Sequence, residues 1–196
     1  MPNWCCTAYT VTGDTQEVKA LYEMMKGLEE QGEATLVSDF GKTWLGCLVD
    51  ALGEDWHNVQ CRGHWDGLNF DGRILTFWTL TAWAACNGVF ELIKQKFPSL
   101  SYFYCAEEPG MCEFYTNDIE GTYYPARYVV DTWTDTGEWL TERFTTLQAA
   151  YAWLEEISGM PVRSEQDVQA LEKRWKENNP DEHVAINIYP FKVFES

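Results

Sequence analysis

The chain has 196 residues, of which 31 are acidic and 14 basic, giving a formal charge of -17. Phosphate contacts need clustered Lys and Arg, so this balance argues against direct nucleic-acid binding and leaves a basic protein as the fitting partner. Ten each of Trp, Tyr and Phe rule out a disordered chain, and the length suffices for one large domain or two small ones.

Residues 4–12 read as a strand, because Cys5, Thr7, Tyr9 and Val11 alternate with Cys6, Ala8, Thr10 and Thr12. Both sets pack well, which predicts a central strand, with Trp4 seating its entry in the core. Asp14 and Glu17 form a capping signal for a helix whose apolar stripe is Val18, Leu21, Tyr22, Met25 and Leu28. Leu45, Leu48, Val49 and Leu52 mark a second, brief helix. An Asp71-Gly72 turn joins a strand region from Val59 onward to a long run over 74–83. Asn87 is the expected cap of a helix carrying Val89, Leu92, Ile93 and Phe97, which Pro98 closes. Two strands, over 100–106 and 112–116, follow around Glu108-Pro109-Gly110-Met111.

The last third opens with a hairpin over 123–133 and 138–144. Thr145 and Gln148 form a capping box for a helix bearing Leu147, Ala150, Tyr151, Leu154 and Ile157. A more polar helix over 164–178 carries only Val168, Leu171 and Trp175 on its stripe. Val184, Ile186 and Ile188 make a final strand, and Pro190 just behind them suits a sheet edge. The order of elements is that of an α+β chain: a ferredoxin-like split βαβ antiparallel sheet over 1–118, helices on one face, and an α+β extension over 119–196 that shares or adjoins the sheet.

Four separated stretches also carry a family resemblance: Met1-Pro2-Asn3-Trp4-Cys5 with Val11-Thr12-Gly13, Trp65-Asp66, Thr81-Ala82-Trp83, and Lys96-Phe97-Pro98 with Glu108-Pro109-Gly110-Met111. In this order, over residues 1–118, they resemble the YubB-type ferredoxin-like family, proteins of unknown function met on plasmids, in phages and in bacterial genomes. The resemblance implies a ferredoxin-like domain and a mobile genetic element, but no catalytic residue. Ala84-Ala85-Cys86 and Cys112-Glu113-Phe114-Tyr115 stand where the family usually has prolines and a glycine-rich segment, so those loops differ.

Seven cysteines without a CxxC pair are expected to be reduced and mostly packed as small apolar side chains, although Cys105 and Cys112 flank a turn and are the one pair to consider for a disulfide. No stretch approaches the roughly 18 consecutive apolar residues of a membrane helix, and the first residues carry no export signal, so the expectation is a cytoplasmic protein with no membrane role. His57, Cys61 and His64 are the one metal-like set. An odd separation on a strand turns Cys61 and His64 to opposite faces, so no metal or cofactor is expected, and a small metal-dependent protein or enzyme stands as the alternative.

No basic residue lies between Lys96 and Arg127, whereas Glu107, Glu108, Glu113, Asp118 and Glu120 do, interleaved with Tyr115, Tyr123 and Tyr124. Aromatic residues supply interface anchors and carboxylates steer toward basic surfaces. These eight residues are the expected contact set of a non-enzymatic binding protein. Its partner would be a basic nucleic-acid enzyme, with a host defence nuclease of the CRISPR or restriction type the sharper form. A structural accessory protein of a plasmid or phage is the remaining reading.

Overall fold

The computed structural model describes residues 2–180 and 183–194. The chain divides into two units, the first comprising Met1–Ile119 with the stretch from Phe194 onward, the second Glu120–Val193.

In the first unit, β1 (Trp4–Thr12) is followed by α1 (Thr15–Glu30) and α2 (Leu45–Ala51), then by β2 (Gly63–Phe70), β3 (Leu75–Ala82), α3 (Asn87–Lys96), β4 (Ser101–Glu108) and β5 (Glu113–Thr116). Its strands lie in the order β2-β3-β1-β4-β5. β1 is central, as its two-sided packing predicts. It pairs antiparallel with β3 on one edge, Tyr9 opposite Phe77, and with β4 on the other, Tyr9 opposite Tyr104. Strand alternation then sends Cys5, Thr7, Tyr9 and Val11 to the buried face.

That face is covered by helix stripes. Val18, Leu21 and Met25 of α1, Leu45 and Leu48 of α2, and Val89, Phe90 and Ile93 of α3 join it in one core, and each large apolar side chain so buried contributes about 1.5–3 kcal/mol. Tyr9 sits at the middle, its ring stacked on Phe90 at 3.9 Å and on Phe77 at 5.4 Å. Asp14 caps α1 by accepting from the Gln16 and Glu17 amides. Glu17, expected to close that box, instead accepts from the Ser99 amide and hydroxyl. Asn87 does not cap α3. Cys86 holds the cap position without a side-chain bond, and Asn87 accepts the Tyr9 hydroxyl proton at 3.1 Å.

The second unit contains β6 (Tyr128–Trp133), β7 (Trp139–Phe144), α4 (Leu147–Ser158), α5 (Glu165–Asn178) and β8 (Ala185–Pro190). Its own sheet has the order β7-β6-β8, which puts Pro190 on an edge strand. Val130, Leu154, Leu171 and Trp175 are central to a separate core. The cap of α4 is Thr146, accepting from the Ala149 amide, one residue beyond the expected box.

Two glycines give opposite tests of this packing. A Cβ at Gly63 would lie 2.3 Å from the Leu80 carbonyl oxygen, which belongs to the neighbouring strand and cannot move aside. Gly63→Ala is expected to cost about 3 kcal/mol in urea denaturation. Gly27 lies on the exposed side of α1 with open space around it, and Gly27→Ala is expected to add about 0.5–1 kcal/mol.

Candidate functional site at one end of the first sheet

Three of the motif stretches converge where β1 begins and where β3 and β4 end. Trp4 stands opposite Ala82, the Trp83 amide donates to the Asn3 carbonyl at 2.9 Å, and Gly110 lies so close to Asn3 that a Cβ there would come within 2.8 Å of the Asn3 amide nitrogen. Asn3 is thus wedged between the turn after β3 and the turn after β4.

Both turns are strained. Among the described residues the non-glycine positions with positive φ are Trp83, at 73°, and Cys112, at 56°, and each follows one of these strand ends. For a bulky side chain such a φ is a rare and costly state, and strain of this kind gathers where a surface is shaped for use. Trp83 is 50% exposed, Met111 58% and Trp4 39%. Trp4 therefore does not seat the strand entry in the core. It lies on the face opposite Cys5, with its ring edge-on to Phe40 at 6.3 Å.

Behind these side chains the polar groups are consumed internally. The Tyr115 hydroxyl accepts from the Ala85 amide at 2.7 Å and lies 3.8 Å from the Cys5 sulfur. Thr81 Oγ1 donates to the Ala84 carbonyl at 2.8 Å. Burial pushes both the Cys5 thiol and the Tyr115 phenol above their ordinary pKa values, so neither is prepared as a nucleophile or base at neutral pH. What this end offers is an aromatic surface on a locked frame.

The acidic and aromatic set expected from the sequence is not a single exposed patch. Glu108 is 1% exposed, and its carboxylate accepts from the Gly110 and Met111 amides at 2.9 and 2.8 Å. Asp118 is buried as well, its amide donating to Thr116 Oγ1. Tyr115 points inward, as its hydrogen bonds require. These three are corrections to the contact set, and alternation is the reason for two of them: Glu108 and Tyr115 follow Tyr104 and Ala106 onto the helix-covered face. Glu107, on the opposite face, and Glu113 are half-buried. Glu120 is exposed and Tyr123 and Tyr124 half-buried, and all three belong to the second unit.

His57, Cys61 and His64 do not converge. His57 is exposed, with Nδ1 2.6 Å from Asp55 Oδ1. The Cys61 thiol donates to the Trp56 carbonyl, and the His64 ring lies near Phe40 and Trp78. Among the described residues no cluster of His, Cys, Asp and Glu could hold a metal ion. None of the seven cysteines is disulfide-bonded, Cys105 and Cys112 included. No helix of the described residues is long and apolar enough to cross a membrane. Comparison of the chain with protein-family models, with curated proteins and with solved structures finds no match.

Sequence reasoning missed Trp83 as a surface residue, because the run over 74–83 continues its apolar pattern to the last position.

Two measurements check this description. Glu108→Ala strips the acceptor from two amides, and is expected to cost about 2 kcal/mol in denaturant unfolding, whereas a solvated carboxylate would be lost without effect. Thiol labelling mapped by mass spectrometry should modify Cys6 and Cys112 first and Cys105 more slowly. Cys5, Cys47, Cys61 and Cys86 should react only on unfolding, since burial raises the Cys86 pKa to about 12.

Proposed function

We propose that the chain is a non-enzymatic binding protein of a mobile genetic element, with a first unit of the ferredoxin-like kind and a protein partner docked on Trp4, Trp83 and Met111. The observation that carries the binding role is Trp83, a large aromatic held at φ 73° and half exposed. Holding a non-glycine residue in that region costs about 1–2 kcal/mol, and the exposed half of its ring repays none of this within the chain. Tryptophan is also among the residues that dominate binding energy at protein interfaces.

The ferredoxin-like reading is supported by the order strand, helices, hairpin, helix, strand and by the spatial sequence β2-β3-β1-β4. The resemblance of its motifs to the YubB-type family supports a plasmid or phage setting. For the partner, a charge of -17 and the stretch without Lys or Arg between residues 96 and 127 favour a basic nucleic-acid enzyme, with a host defence nuclease the sharper form. In that form carboxylates stand where phosphates would lie. Glu108 and Asp118 drop out of the contact on burial grounds, so Glu120, with the exposed parts of Glu107 and Glu113, remains from the original acidic set.

The test separates binding from folding. Trp83→Gly places at this φ the residue that tolerates it, so its stability should stay within about 1 kcal/mol of the parent. Capture of a nucleic-acid enzyme from the native host's lysate at low salt should fall at least tenfold, and the capture by the parent chain should be lost at high salt or with competitor DNA. Retained capture by Trp83→Gly would remove the anchor role.

A further inference from the structure

The stretch that carries His57 and Cys61 builds something other than a metal site. Trp44, which precedes α2, donates its indole N–H to the Cys61 carbonyl at 2.9 Å, and its ring meets the Trp56 ring edge-on at 4.9 Å. Trp56 in turn stacks on His57 at 3.7 Å. His57 is pinned from the far side by Asp55, whose carboxylate contacts both Nδ1 and the His57 amide, at 2.6 and 3.0 Å. Those bonds hold the Asp55 carboxyl below its ordinary pKa. With Phe40, Val59, Gln60 and Arg62, these rings line an open cleft of about 410 Å³ within the first unit, a size in the usual range for a small-molecule site.

Arg62 gives the cleft its chemistry. Carboxylates outnumber cations 31 to 14 in this chain, yet among the described residues the Arg62 guanidinium makes no ion pair and no hydrogen bond. The acidic residues on either side in the sequence are engaged elsewhere, Asp55 with His57 and Asp66 with the Gly67 amide. A planar cation left uncommitted beside aromatic walls has the complement of a flat apolar body that carries one anionic group.

We propose that this cleft binds such a ligand, an aromatic or conjugated anion whose ring system lies among Phe40, Trp44 and Trp56 and whose carboxylate, sulfonate or phosphate meets Arg62. The cleft adjoins the partner surface, since Phe40 meets the Trp4 ring at 6.3 Å and the Ala82 amide donates to the Arg62 carbonyl at 2.9 Å, but its proposed ligand contacts do not include Trp83.

The probes are anilinonaphthalene sulfonate and its uncharged parent, phenylnaphthylamine, titrated by fluorescence against the native full-length chain at neutral pH. One saturable site is expected, with the sulfonate favoured over the parent by about tenfold, as suits a charge-assisted bidentate contact. Arg62→Ala should abolish that preference while leaving the parent's affinity unchanged, and Arg62→Lys should restore part of it. Trp56→Ala, with circular dichroism checking the fold, should weaken both probes. Absence of saturable binding would overturn the proposal. So would an anion preference that survives Arg62→Ala, whose exposed position makes misfolding no explanation.

Discussion

The first unit depends on what surrounds Tyr9. Its ring is fully enclosed, stacked between residues of α3 and β3, and its hydroxyl finds the Asn87 side chain as acceptor. One side chain therefore joins the middle of the central strand to both the neighbouring strand and the helix above it. Stacked rings add roughly 0.5–1.5 kcal/mol beyond their area, and an enclosed hydroxyl without an acceptor would cost about 1–3 kcal/mol. Asn87 is accordingly placed for Tyr9, and the helix start goes without a side-chain cap. Burial raises the Tyr9 phenol well above its ordinary pKa, so the group stays a donor across the pH range in which the fold exists.

With the middle fixed, the ends of the sheet are free to be irregular. Thr81, Tyr115 and the buried Glu108 consume the polar groups of the two turns, and the rigid frame carries the φ of Trp83. The surface at this end and the cleft near Arg62 differ in kind. One presents the exposed Trp4, Trp83 and Met111, the other an apolar recess that includes Arg62.

Much of the fold was legible because period and burial agree. In α5, Val168, Leu171 and Trp175 keep the helical spacing and are the residues buried. In β1, two packable alternating sets identified a strand flanked on both edges. The errors arose where a local rule met a long-range demand. Asn87 follows the sequence signature of a cap but is claimed by Tyr9, which lies 78 positions away. The apolar character of Trp4 points to the core, although its alternation with Cys5 places it on the other face. Glu107 and Glu108 share a charge, but the strand period separates them. The cleft was not legible at all, since it requires α2 and the turn at Trp56 to bring two indoles together across the chain.

The central position of β1 also shapes how the chain is made. Val11 pairs with Leu75 and with Tyr102, so the first strand leaves the ribosome long before either neighbour exists. At a synthesis rate of about 5–20 residues per second, the last of β4 follows on the order of ten seconds later. Until β3 emerges the nascent chain holds a strand with two open edges and an apolar face, and until β4 follows one edge stays open, the arrangement most prone to pair with a stranger. Growth temperature and translation speed thus become determinants of yield, and the acidic α1 that emerges next is the nearest source of repulsion between neighbouring nascent chains.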